Sequence, residues 1–514
     1  MISHRPGHGE TRRQFIKKTG AVAAAVAGAG FFELPAWAGQ AASSIGIVFD
    51  DNDAAMETAA KWALEYLRDV LRKRGIATGT FAKPEEAPPG RECIIATTHV
   101  PDLFRDDRES AIAPESLAIS RVRMDWDSPT AREFILAAGS DACGLTYALL
   151  ELADRVTYAD DPMAMLKSLS FIATVERPAN AIRGVARAFV SDVEDKSWFQ
   201  NRAFWTGYLT MLAAQRFNRF HLMLGVGYDF TTNITDCYFH FAYPFLLAVP
   251  GYEVRSASLP DAERDLNLEM LRFISDEAAR RGLHFQLGLW THAYQWSNSP
   301  HANFVIEGLT PETHALYCRD ALRALLAACP NIKGVTFRIH GESGVPEGNY
   351  DLWKTIFAGV AGCGRRVEID MHAKGMDEGM IDVALATGQP VNISPKFWAE
   401  HMGLPYMQGA IRAQEMPPRN ARATGFFSRS SGTRSFLRYG YGDLFAEDRR
   451  YGVLHRLWPG TQRLLAWGDA DMAAAYGRVS SFCGSAGLEL MEPLTFKGRK
   501  GSGLAGGRDG YADA

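Results

Sequence analysis

Closely spaced cysteine pairs are missing from this chain. Its seven cysteines, Cys93, Cys143, Cys237, Cys318, Cys329, Cys363 and Cys483, are odd in number and far apart. That argues against a CxxC zinc knuckle and against a disulfide framework, and leaves the usual place of free cysteine, the core. No HExxH pair, GxSxG elbow or P-loop occurs, and no glycine-rich dinucleotide fingerprint follows a strand candidate. No cofactor and no metal is therefore expected. An excess of positive charge is absent too: 55 basic residues stand against 59 acidic ones, a net charge of −4. A nucleic-acid protein held by phosphate contacts needs the opposite balance. What remains is a chain of 514 residues, 47% hydrophobic and 22% charged. That is the balance of a folded globular protein of more than one domain, with a large core.

Residues 1–38 read as an export signal rather than as fold. Thr11-Arg12-Arg13-Gln14-Phe15-Ile16-Lys17-Lys18 is a twin-arginine box, followed by an Ala/Gly/Val run and by Ala36-Trp37-Ala38, a small-x-small cleavage site. Cleavage leaves 50 basic and 57 acidic residues, a balance of −7. Beyond the signal no apolar run reaches the ~18 residues of a membrane span. The mature protein is expected to be soluble, without a membrane partner, and periplasmic or secreted.

Residues 44–180 form a small α/β domain. Strand candidates are Ile45 to Phe49, Glu92 to Thr98 and Arg132 to Ala138. Ala55, Ala59, Trp62, Ala63, Tyr66, Leu67 and Val70 recur at a helical period, with Asp53 as cap and Gly75 as stop. A second helix follows Gly139-Ser140-Asp141. After a linker at Glu176–Asn180, residues 181–492 alternate strand and helix. Strands end near Val190, Leu224, Trp290, Ile339, Met371, Ile393, Leu457 and Met491, with helices between most of them, at Asn201–Gln215, Asp265–Arg281, Pro311–Ala328, Tyr350–Ala361, Asp377–Ala386 and Ala470–Phe482. Eight parallel strands separated by helices predict a (β/α)8 barrel. No helix pattern follows the eighth strand. Residues 493–514 form a Gly-rich tail expected to be flexible, which leaves the barrel incompletely covered there.

Chemistry in such a barrel sits past the C-terminal strand ends. The fourth strand carries Arg338 and His340 in alternation, then Gly341-Glu342-Ser343-Gly344; Glu342 suits a general acid. On the fifth, Asp370, His372 and Lys374 share one face. The other ends offer Trp290, His292 and Trp296; Asn392, Lys396, Trp398, Glu400 and His401; His455, Arg456 and Trp458; Glu489 and Glu492; and, on the first strand, Arg187. Flat aromatic rings suit the apolar faces of sugars. Arg338, His340, Lys374, Lys396, His401 and Arg456 make a basic mouth in an acidic protein, as an anionic ligand requires.

Leu136-Ala137-Ala138-Gly139-Ser140-Asp141 and Gly144-Leu145-Thr146-Tyr147-Ala148-Leu149-Leu150-Glu151-Leu152, set ahead of a barrel, resemble the accessory domain of glycoside hydrolase families 20 and 67. These are the hexosaminidase-like and α-glucuronidase-like enzymes. The resemblance implies carbohydrate hydrolysis, with the acid at the end of strand four on Glu342. Where the hexosaminidase pattern has Asp-Glu, this chain has Gly341-Glu342, and strand seven shows no carboxylate. Glycoside hydrolysis ordinarily uses two carboxylates. The second is sought among Asp370, Glu400, Glu489 and Glu492, with Asp370 favoured as water-activating base by its strand and parity. Alternatives are a polysaccharide lyase using Lys374, His372 or Lys396 as base, and a sugar-binding protein without turnover.

Overall fold

The computed structural model describes residues 43–49, 58–88, 90–98, 113–124, 132–189, 192–225, 238–295, 305–373, 376–394, 396–397, 439–440, 450–457, 478 and 485–492. The export segment lies outside these. So do Asp53, Trp296, Lys374, Trp398, Glu400, His401, Trp458 and the Gly-rich tail.

The first sheet has six strands: β1 (Ser44–Val48), β2 (Ala77–Phe81), β3 (Glu92–Thr97), β4 (Leu117–Met124), β5 (Arg132–Gly139) and β6 (Thr174–Glu176), in the order β2-β1-β3-β5-β4-β6. All pair in parallel except β4, which runs antiparallel to β5 and β6. Helices α1 (Thr58–Lys73) and α2 (Ala142–Tyr158) bury one face of this sheet. The predicted stripe of α1 is the buried one, through Ala59, Trp62, Ala63, Leu67 and Val70. Asp141 caps α2, accepting from Gly144 N at 2.8 Å. A Cβ on Gly144 would lie 2.0 Å from Ser116 O, so only glycine lets the helix start against the strand. β2, β4 and β6 escaped the sequence reading. β2 (ATGTF) carries two threonines and a glycine and is mostly exposed, so no apolar alternation marks it.

The second sheet is a closed ring of eight parallel strands: β7 (Ile182–Phe189), β8 (Arg219–Leu224), β9 (His284–Leu289), β10 (Ile332–Phe337), β11 (Glu368–His372), β12 (Val391–Ser394), β13 (Gly452–Leu457) and β14 (Gly487–Met491). Each pairs with the next, and β14 returns to β7 with Gly487 opposite Ile182. The expected (β/α)8 class is what the chain adopts. Helices α3 (Arg202–Ala214), α4 (Asp261–Arg280), α5 (Pro311–Ala328), α6 (Tyr350–Ala361) and α7 (Glu378–Leu385) surround it. Outward side chains such as Phe220, Phe285, Phe337 and Val335 join Trp205, Leu322, Trp353 and Phe357 in one apolar layer. The ring of strands is complete, whatever covers its eighth member. Leu488 and Leu490 of β14 are half-buried. With Ile182, Leu117 and Tyr147 they line a cavity of about 440 Å³ against the first sheet. Among the described residues this stretch of β14 therefore faces the first domain, through Leu117 of β4 and Tyr147 of α2, with Arg478 lining the same cavity.

Several histidines are enclosed and held neutral. Burial lowers His240 and His455 to about 3, and His292 to about 3 with His314 adding to the effect. Burial, then Arg219, lowers His284 to about 4. Unfolded, each titrates near the ordinary 6.5. The unfolded chain therefore binds more protons as pH falls below 6.5, and stability falls with it. Asp154, raised to about 6 by burial and by Glu151, works the other way, but it is a single group. The melting temperature should drop steadily from pH 6.5 to 4.5; a flat profile there would contradict this reading.

Candidate active site

Barrel interiors are ordinarily filled by branched apolar side chains. Here the inward positions carry charge. In the lower layer Arg219 on β8 donates to Glu368 on β11 at 2.8 Å, and His284 Nε2 lies 2.9 Å from Gln286 Oε1. One layer up, Gln286 donates to Thr336 at 3.1 Å and Thr336 donates to Asp370 Oδ2 at 2.7 Å. Ser394 donates to the other Asp370 oxygen. Arg456 on β13 reaches Asp370 Oδ2 at 2.5 Å and Glu489 Oε1 at 2.8 Å. His221 Nδ1 lies 3.0 Å from the same Glu489 oxygen. Glycines make the room: a Cβ on Gly334 would lie 2.1 Å from Gln286 Oε1, and one on Gly452 1.9 Å from Asn392 Oδ1. Burial alone would raise the Glu489 carboxyl, but the Arg456 guanidinium and the His221 imidazole outweigh it and hold it at about 2. Burial lowers His221, so Nδ1–H donates to an ionised Glu489.

Above this network lies the floor of the mouth. The guanidinium carbons of Arg338 and Arg456 both stand 5.7 Å from the Trp290 ring centroid, within cation–π range. His372 packs 5.4 Å from Trp290 and 5.2 Å from His340. Arg338 Nε donates to His340 Nε2 at 3.3 Å. The sequence-selected residues Trp290, Arg338, His340 and His372 are thus brought together, all four buried. Trp290 is only 2% exposed and is already packed by guanidinium and imidazole, so it underlies the floor rather than offering an open platform.

Glu342 follows β10 in the short 3-10 turn Gly341–Ser343. The turn is tied down on both sides. Ser343 N donates to His340 O at 2.8 Å, and Ser343 O accepts from His292 N and Ala293 N at 2.9 and 3.0 Å. Gly344 adopts φ +80°, and a Cβ there would lie 2.1 Å from that of Ala293. Backbone from two neighbouring strand ends therefore fixes where Glu342 leaves the barrel. The side chains of Glu342 and Lys396 lie outside the described residues.

Other selected residues are placed elsewhere. Asp370 faces inward, as its parity requires, but it is fully buried with both oxygens engaged by Arg456, Thr336 and Ser394. Arg456 is matched by Asp370 and Glu489 and sits 1% exposed, below the floor rather than at it. His292 does not join the mouth. The strand stops at Leu289, parity lapses beyond it, and the ring packs among Phe337, Trp353 and Tyr243 in the helix layer. Glu492 accepts from Arg187 at 2.6 Å and from Tyr208 at 2.7 Å, on the outer face between β14 and β7. Sequence reasoning missed Arg219, His221, His284, Gln286 and Glu368. Their signal was present: Arg219-Phe220-His221-Leu222 and His284-Phe285-Gln286-Leu287 alternate polar with apolar, as a barrel with a polar interior demands. Among the described residues no group of three His, Cys, Asp or Glu side chains could hold a metal ion.

No family model and no curated protein matches the chain. Solved structures do. One is described as a GH138 enzyme targeting pectin rhamnogalacturonan II. It shares 16% identity at a TM-score of 0.54, over 88% of this chain and 58% of that one. CpGH84D shares 10% identity at a TM-score of 0.38, over 69% of this chain and 52% of its own, and CpGH84B 10% at 0.39, over 87% and 64%. The first likeness supports a shared fold. The chain spans 58% of that structure's length.

Proposed function

We propose that this protein is a glycoside hydrolase acting on an anionic sugar, uronic or sulfated, with Glu342 as general acid. The observation that carries this reading is the anchored turn after β10. It sets a glutamate at the rim of a barrel whose floor is Arg338, His340 and His372. A carboxylic acid at that rim can protonate a leaving glycosidic oxygen. A guanidinium in the floor can hold a carboxylate or sulfate. The fold shared with a GH138 enzyme agrees with the reading. The water-activating base falls to Glu400. Of the four carboxylates considered, Asp370 and Glu489 neutralise Arg456 and Glu492 faces outward.

The test is product analysis on a panel of acidic polysaccharides. Hydrolysis adds water across the bond and yields a new reducing end and a saturated non-reducing end. Unsaturated ends would establish a lyase instead, and binding without products a sugar-binding protein. Matched neutral and acidic oligosaccharides should also differ in affinity. Binding of the acidic form should weaken as salt screens the charges; equal affinity for the two would count against an anion site.

A further inference from the structure

The Arg338–His340 contact fixes more than a distance. The Nε–H of a guanidinium is a donor and never an acceptor. It points at His340 Nε2 across 3.3 Å, within the buried floor. His340 Nε2 must then supply a lone pair, and its one proton must sit on Nδ1. Protonating Nε2 would set donor against donor and two positive charges side by side.

We infer that His340 is a neutral positioning residue, protonated on Nδ1, that acts through Arg338. It takes the Nε edge of the guanidinium and so sets the plane of the group, and that plane decides how the arginine can meet a planar anion. Trp290 stacks against the same guanidinium at 5.7 Å and fixes it from a second direction. His372, with its ring 5.2 Å from His340, is the other imidazole in the floor. The mouth therefore draws its positive charge at this point from Arg338, not from His340. This function for His340 rests on the proposed anionic substrate; its protonation state does not.

Two measurements separate these. In the ¹⁵N-histidine-labelled protein, two-bond proton–nitrogen correlations report the tautomer without substrate. His340, assigned by the signal lost in His340→Gln, should show a protonated Nδ1 and an unprotonated Nε2 at pH 7. A protonated Nε2 overturns the inference whatever the protein hydrolyses. The second measurement uses substitution. The carboxamide oxygen of His340→Gln reaches the Nε2 position and can still accept from Arg338, whereas His340→Leu cannot. Loss of one hydrogen bond corresponds to about a tenfold change. KM for an acidic oligosaccharide should therefore rise about tenfold in His340→Leu and stay near wild type in His340→Gln. Equal losses in two folded variants would overturn the positioning role. An intact tautomer with no turnover of any substrate would instead sink the glycosidase reading alone.

Discussion

Glu342→Gln should lower turnover at least ~100-fold, the usual contribution of a general acid, and leave the melting temperature nearly unchanged. The substitution keeps the shape of the side chain and removes its transferable proton. It leaves the turn intact, because Ser343 N, Ser343 O and His340 O hold it through the backbone. Substrates whose leaving group needs no protonation should recover much of the loss, because they bypass the step that Glu342 performs. A fully active variant would remove Glu342 from the mechanism. A variant that lost activity together with thermal stability would show a structural glutamate instead.

Arg456→Met should cost the fold about 3–5 kcal/mol, the range for removing one partner from a buried ion pair. Methionine fills similar space, so the loss is one of charge rather than volume. Asp370 keeps Thr336 and Ser394, and Glu489 keeps His221, but the guanidinium paired with both carboxylates is gone and leaves them the longer-range attraction of Arg219. The denaturation midpoint at pH 7 reads the effect directly, and an unchanged midpoint would refute it. Adding Glu489→Gln to Arg456→Met should recover part of the loss, since one unpaired charge is removed with its partner. In the parent protein the same network shows in the acid range. Glu489 titrates near 2 when folded and near 4.5 when not. Its contribution is complete above about pH 4.5 and disappears as the pH falls toward 2. That window overlaps the lower part of the one set by the buried histidines, which runs from 6.5 down to about 3, so the loss of stability should steepen below about pH 4.5.

These residues also show how far the sequence could be read. Strand positions were legible because each barrel strand is a short apolar run between helical periods. The helices at Pro311–Ala328 and Tyr350–Ala361 match their expected bounds residue for residue. Parity was legible as well: Arg338, His340, Asp370 and His372 all face inward. Height along the barrel axis was not. Parity separates inside from outside, but the strand-to-strand stagger decides whether a side chain reaches the mouth or the middle. Asp370 pairs in register with Thr336 and with Asn392, and so falls a layer below His372. His292 failed for a different reason. It follows the last residue of its strand, where alternation no longer dictates direction and backbone bonds to Ser343 turn the chain.

The closure between β14 and β7 bears on how the molecule is made. Gly487 lies opposite Ile182, so the partners of that seam are roughly 300 residues apart in sequence, a separation that slows folding. During synthesis β7 emerges early, with one edge paired to β8 and the other waiting. The ribosome must deliver roughly 300 further residues before that edge finds its neighbour. Until then an arc of seven strands exposes two unsatisfied edges and a half-built polar interior, with Arg456 present but Glu489 not yet made. Open edges of this kind favour pairing with other chains until the ring closes. Ring closure brings Glu489 to Arg456 and His221 and removes both open edges in one step.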